Sequence, residues 1–226
     1  MRISVLQHTP NEGPGMIQKW SQAHGYDMTI YHPYYSGQLP QASDVDLLVI
    51  LGGPMSPNDS LPWITAERTL IATLLERHTP IFGACFGAQQ IAKTLGYAVT
   101  KAPAKEVGWA PVYRQSDVIS GLPETVMALH WHEEMFEVPA AATLLFSSEH
   151  VRPQGFVMDH RVVGLQFHIE PLADNVREMV ANDAAYVTGS VLDQSPADIL
   201  HRPVPTANEA VTYRLLDYIC EGSRQP

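Results

Sequence analysis

The stretch PIFGACFGAQQIAKTLG, residues 80–96, sets one cysteine, Cys85, among small residues. Gly83-Ala84-Cys85-Phe86-Gly87 fits a tight strand-to-helix turn, the nucleophile elbow, with cysteine in the place more often held by serine. Small neighbours are what such a turn needs, because strand and helix must approach closely around a strained residue. The turn would hold the sulfur at the carboxyl end of a strand, where open α/β sheets bind ligands. It would also place it at a helix N-terminus, where the dipole and unpaired N–H groups favour thiolate. The Phe86 N–H is then free to help hold an oxyanion. The competing explanation is a structural cysteine, since free Cys is among the most buried residue types.

A nucleophilic cysteine needs a base, and the base needs an orienting group. GLQFHIEP, residues 164–171, supplies both in His168 and Glu170. Two positions apart in an extended segment, their side chains leave on the same face. The carboxylate can then fix the imidazole tautomer and stabilise the imidazolium. One His-x-Glu alone would equally be a surface pair at a strand end; the order Cys, His, Glu along an α/β pattern is the stronger signal. A second oxyanion donor is offered by Gly52 and Gly53 in ILGGPMSP, because a backbone N–H aimed into a site needs an unhindered turn. Taken by itself, that pair of glycines is an ordinary strand-ending turn.

The segment HWHEE, residues 130–134, admits a metal reading through His130 and His132 with Glu133 or Glu134. HEEMF lacks the second histidine of HExxH, however, and no Cys/His cluster accompanies it. We therefore expect no metal and no cofactor. A strand end carrying solvated carboxylates is the plainer account, and it is compatible with lining a pocket.

The elements that must position these residues follow from periodicity. RISVLQ reads as a first strand, GPGMIQKWSQAHG as a helix ended by Gly25, and DMTIYHP as a second strand. DVDLLVILGGP is a continuous apolar run, as expected of a strand buried on both faces of a parallel sheet. PWITAERTLIATLLERH is a helix, TPIFGAC a buried strand and FGAQQIAKTLG the next helix. Strand alternating with helix predicts a doubly wound, mostly parallel sheet. AVTKAP, GWAPVYR, TVMALHWH, TLLFSS and GFVMDHRVVGLQFH are short strand-like runs. They predict a mixed or antiparallel extension of the sheet that returns to the core at VVGLQFH. Helical pattern resumes from about Asn175 to Tyr186 and again over NEAVTYRLLDYICEG. One domain over residues 1–226 is expected, with a core of about 1–175 and a helical C-terminal appendage over about 176–226.

Composition bounds the rest. In 226 residues, 24 acidic against 14 basic side chains give a net charge of −10. No Lys/Arg cluster stands out, which argues against a nucleic-acid groove. The apolar start is too short for a signal peptide or a membrane span. Cys85 and Cys220 are the only cysteines. Two distant thiols without an export signal predict a reduced, cytoplasmic protein with no structural disulfide and no membrane contact.

Three segments taken together resemble the class I, or triad, glutamine amidotransferase family. They are Gly52-Gly53-Pro54, then Gly83-Ala84-Cys85-Phe86-Gly87-Ala88-Gln89, then Gln166-Phe167-His168-Ile169-Glu170. Their spacing is most similar to the glutaminase domain of GMP synthases. KEVGWAPV and ALHWHEEMFEVP also resemble segments of that branch. The resemblance covers about residues 45–172 and implies a flavodoxin-like sheet. It implies that Cys85 attacks the side-chain amide of glutamine, that a γ-glutamyl thioester forms as ammonia leaves, and that water releases glutamate. It further implies an oxyanion hole from the Gly53 and Phe86 N–H groups. Gln89, Trp131, His132 and Glu133 would line the glutamine pocket. The chain departs from GMP synthase there: Trp131 replaces a serine, and Glu133-Glu134 follow His132 where Gly-Asp is typical. No nucleotide-binding synthetase domain follows Glu170, and no GxxxxGK[ST] is present. The resemblance then leaves three readings. The chain releases ammonia for a separate synthetase partner, or hydrolyses γ-glutamyl peptides as its own task, or is a non-catalytic partner that keeps the fold.

Overall fold

The structure, a computed structural model, describes residues 1–222. Five strands run parallel: β1 (Arg2–Leu6), β2 (Asp27–Tyr31), β3 (Leu47–Ile50), β4 (Ile81–Ala84) and β9 (Val162–Leu165), in the order β2-β1-β3-β4-β9. The sheet continues antiparallel through β8 (Gly155–Met158), β7 (Thr143–Ser147), β5 (Val99–Arg114) and β6 (Thr125–Phe136). This is the expected flavodoxin-like architecture with a mixed extension, and the return to the core at VVGLQFH is β9 pairing with β4.

Alternation along the central strands explains their unbroken apolar runs. Leu47 and Val49 face one side, where α1 (Gly15–Ala23) contributes Ile17 and Trp20 and α7 (Ala207–Gly222) contributes Leu215 and Ile219. Leu48 and Ile50 face the other, against Ile71 and Leu74 of α3 (Pro62–Glu76) and Ala88 and Ile91 of α4 (Phe86–Thr94). Each fully buried Leu, Ile or Val contributes about 1.5–3 kcal/mol, so both helical layers are required by the sequence of β3 alone. A short α2 (Pro33–Ser36) follows β2.

The C-terminal helices expected as an appendage are present, and the last of them is seated in the core. Val211, Leu215, Leu216 and Ile219 of α7 are buried in the main cluster, and Trp20 Nε1 donates to Asp217 at 2.8 Å to tie α1 to α7. α5 (Ala173–Asp183) and α6 (Pro196–His201) instead pack Val176, Met179 and Ile199 on Val107, Trp109 and Leu129 of β5 and β6.

Two runs differ from their sequence reading. AVTKAP and GWAPVYR form one strand, β5, not two. Its pairing with β6 shifts register between Lys101 and Glu106, where Pro103 removes a backbone donor, so the proline marks an irregularity and not an end. β6 also runs through HEEMF to Phe136, beyond the expected end at HWH. Between β8 and β9, Asp159 and His160 both have positive φ, 52° and 57°, in a tight turn closed by the Arg161 N–H donating to Met158 O.

Candidate active site

The carboxyl ends of β1, β3, β4 and β9 lie on one edge of the sheet, because these strands are parallel neighbours. Each is followed by a segment singled out above or by one that joins it: His8 to Glu12 after β1, Gly52-Gly53 after β3, Cys85 after β4, and Gln166 to Glu170 after β9. The topology alone therefore gathers residues that are far apart in sequence.

Cys85 is the N-cap of α4 with φ 48° and ψ −108°, the strained backbone expected of an elbow. Its N–H donates to Leu165 O at 2.7 Å, which pins the strained residue to β9. The small neighbours have specific reasons. A Cβ on Gly87 would sit 2.1 Å from Ile50 O, and one on Gly83 2.7 Å from Ala88 N. Neither backbone atom can move aside. Phe86 is the first residue of α4, so its N–H has no acceptor inside the helix.

His168 Nδ1 lies 2.6 Å from Glu170 Oε1, and Glu170 Oε2 accepts from the Ile169 N–H at 3.0 Å. Both side chains are buried. The segment is clamped from three sides. It exchanges two backbone hydrogen bonds with Leu129 of β6, Glu170 O accepts from Met16 N at 2.7 Å, and Thr212 of α7 donates to Ile169 O. Burial disfavours the charged ring. The Glu170 carboxylate outweighs it, with a hydrogen bond and charge interaction from Cys85, and holds the His168 pKa well above its ordinary value.

A pocket of about 430 Å³ opens at Cys85. Gly53, Gln89, Trp131, His132 and Glu133, all expected there, line it. Gln89 is buried and donates to Gln166 Oε1, whose amide in turn reaches the Cys85 sulfur at 3.7 Å. The sulfur also lies 3.9 Å from Trp131 O. The His132 side chain turns the other way. His130 and His132 share the opposite face of β6 from Trp131 and meet Glu106 of β5 at 3.4 and 3.3 Å. So the carboxylate beside the two histidines is Glu106, not Glu133 or Glu134. Gln154 Nε2 occupies the space they share, 2.6 Å from Glu106 Oε2 and 3.3 Å from His132 Nε2, and Ser148 donates to Glu106 Oε1 at 2.7 Å. Burial raises the Glu106 pKa, but the neighbouring imidazoles of His130 and His132 overcome it and hold the carboxyl far below its usual range. For His132, burial is the larger influence and lowers the pKa.

Several site residues escaped sequence reasoning. Asp183 at the end of α5 and Tyr186 just beyond it form one wall of the pocket. Asp183 accepts from Trp131 Nε1 at 3.1 Å, and the Tyr186 ring stacks on Trp131. Nothing local marks them; only packing of the tail on β6 brings them there. His8 is buried between Glu67 at 2.9 Å and the carbonyls of Leu51 and Gly52 at 3.1 and 3.2 Å, so it braces the turn that presents Gly53. Glu12 lines the pocket from the loop after β1. The available signal was its place at the carboxyl end of a central parallel strand.

The model of the class-I glutamine amidotransferases matches residues 16–184, which include the elbow and the His-x-Glu segment. The chain belongs to that family. It is 30% identical over 192 residues to the glutamine amidotransferase-like protein YfeJ of Salmonella typhimurium, 80% of each chain. It is 31% identical over 131 residues to a subunit of the glutamine-hydrolysing GMP synthase of Sulfurisphaera tokodaii, covering 56% of this chain and 68% of that one. A glutamine amidotransferase from Thermotoga maritima superposes with a TM-score of 0.89 at 27% identity, over 98% of both chains. One from Methylobacillus flagellatus does so at 0.87 and 28%, over 98% of this chain and 93% of that one. Membership places this amidotransferase among enzymes of glutamine amide hydrolysis and ammonia transfer. Among its described residues, no helix is long and apolar enough to cross a membrane.

Proposed function

We propose that this amidotransferase hydrolyses a γ-glutamyl amide through a Cys85 thioester, with glutamine as the amide and ammonia as the product. The observation that carries the reading is the strained Cys85 at the start of α4, interacting with a His168 ring whose Nδ1 is held by Glu170. With Nδ1 so held, Nε2 is left for the sulfur. The thiolate attacks the amide carbon, and the oxyanion is held by the N–H groups of Gly53 and Phe86. The imidazolium gives its proton to the departing nitrogen. Water, deprotonated by the now neutral ring, releases glutamate. Glu170 keeps the ring oriented and does not take the proton itself. Glu133 and the edge of β6 at Trp131 and His132 read the amino and carboxylate groups of the glutamyl moiety, and Gln89 holds Gln166 against the sulfur.

The similarity to one subunit of a GMP synthase supports a separate synthetase partner that accepts the ammonia. A second reading, hydrolysis of γ-glutamyl peptides, is favoured by one feature. The pocket falls within the roughly 300–1,000 Å³ of sites for ligands larger than an amino acid, and the Trp131–Tyr186 stack gives it an aromatic wall.

The test is intact-mass trapping of the acyl-enzyme with glutamine and with a γ-glutamyl dipeptide. A +γ-glutamyl adduct on Cys85 that disappears in Cys85→Ala is expected. An unmodified Cys85 during turnover, or full activity in Cys85→Ala, would show that the nucleophile is elsewhere. The substrate giving the higher kcat/KM decides between glutaminase and peptidase.

A further inference from the structure

The loop between β1 and α1 is held as a unit. Gln7 Nε2 donates to Thr9 O and Pro10 O, and the N-terminus of α1 is fastened to Glu170 O. The loop delivers the Glu12 carboxylate to Gly52. A Cβ on Gly52 would lie 2.2 Å from Glu12 Oε2 and 2.7 Å from His168 Cε1, so carboxylate and imidazole edge share the space over that glycine. Cε1 lies between the two ring nitrogens, and Nδ1 is taken by Glu170. Glu12 thus lies close to the His168 ring, in the pocket that contains Cys85 and Gly53.

Nothing in the fold explains the carboxylate there. Among the described residues no hydrogen bond or ion pair to the protein holds it. The charged groups facing it are His168 and His8 on one hand and Glu170 and Asp183 on the other. Burial is the largest influence on Glu12 and raises its pKa; His168 opposes that and Glu170 adds to it. A partly buried carboxylate near Glu170 and Asp183, with no hydrogen-bond donor from the protein, is costly in its charged form.

We propose that Glu12 is a further catalytic residue, which accepts an N–H of the leaving nitrogen as the amide bond breaks; this rests on the thioester reading above. When the tetrahedral adduct collapses, the C–N bond breaks and its electron pair goes to nitrogen. That nitrogen takes the proton of His168 Nε2, the oxyanion re-forms the carbonyl, and the C–S bond remains. The nitrogen gains positive character as its new N–H forms ahead of C–N cleavage. A fixed carboxylate at that point stabilises charge that exists only in the transition state. An ester presents an oxygen in the same place, with no N–H to donate and no such cation.

The experiment compares glutamine with glutamate γ-methyl ester in wild type, Glu12→Gln and Glu12→Asp, reading kcat/KM, which reports acylation. Glu12→Gln is expected to lose roughly 10–100-fold on glutamine while staying within about threefold on the ester, with Glu12→Asp recovering part of the loss. Ester turnover itself shows that the variant is folded and that Cys85 and His168 are in place. Equal losses on both substrates would make Glu12 a brace for His168, and an unchanged rate on glutamine would leave it without a role; either overturns the proposal. A wild type that forms no Cys85 adduct with either substrate sinks the thioester reading, and this assignment with it.

Discussion

At the scale of single residues, His168 is buried beside groups that favour its charged form. Its pKa is raised above the ordinary 6.5 because Glu170 and Cys85 outweigh desolvation. The ion pair therefore adds stability that is fully present below about pH 6.5 and is lost as pH rises through the folded-state value. Glu170→Gln removes the larger of the two favourable influences. The ring is expected to titrate at lower pH in that variant, read by NMR of the imidazole nitrogens. The difference in Tm between wild type and variant should be larger near pH 6 than above the wild-type titration. An unchanged His168 titration would mean that Glu170 does not set the charge of the ring.

At the scale of elements, β6 and the end of α5 together shape the pocket. β6 contributes alternate residues to two tasks: Trp131 faces α5 and the pocket, while His130 and His132 face Glu106. Trp131 is held by Asp183 and stacked on Tyr186, whose ring centre also lies 3.8 Å from Lys105 Nζ. Trp131→Ser should open this wall while keeping the backbone carbonyl that contacts Cys85, since the side chain contributes packing against Tyr186 and a hydrogen bond to Asp183. We expect the ratio of kcat/KM for a γ-glutamyl peptide over glutamine to change by about 10-fold or more, the worth of one lost apolar or stacking contact. A ratio unchanged in Trp131→Ser would show that the aromatic wall does not select the substrate.

At the scale of the whole molecule, the antiparallel half of the sheet is fastened by a buried polar cluster. Glu106 is held below its ordinary pKa of 4.5 by His130 and His132 against the cost of burial, and Ser148 and Gln154 complete its bonds. Its contribution to stability is present above about 4.5 and is lost as pH falls through the depressed folded-state value. Removing one partner of a buried pair costs roughly 3–5 kcal/mol, so Glu106→Gln should lower stability by about 3 kcal/mol at neutral pH in urea unfolding. That deficit should shrink in strong acid, where the wild-type carboxyl is also protonated. A constant deficit across the range would assign the loss to packing instead.

The elbow at Cys85 and the pairing of His168 with Glu170 were legible in the sequence because their constraints are local. An elbow needs small residues at fixed offsets, and an extended His-x-Glu needs only the two-residue period of a strand. The parallel core was legible for the same reason, since a strand buried on both faces must be apolar throughout. What surrounds the cysteine depends on long-range pairing. Pro103 reads as a break but is absorbed as an irregularity of β5, because β6 supplies enough pairing on either side of it. The partner of His130 and His132 is Glu106 because an antiparallel register sets Glu106 opposite His132. Asp183 and Tyr186 reach the pocket only because α5 packs its apolar face on β6. Glu12 meets His168 only because β1, β3 and β9 end on the same edge of the sheet. The sequence by itself determined the elbow at Cys85, the pairing of His168 with Glu170 and the layered fold, since each follows from spacing along one element. Tertiary structure decided the walls of the pocket, because strand order and register bring together residues that no spacing relates.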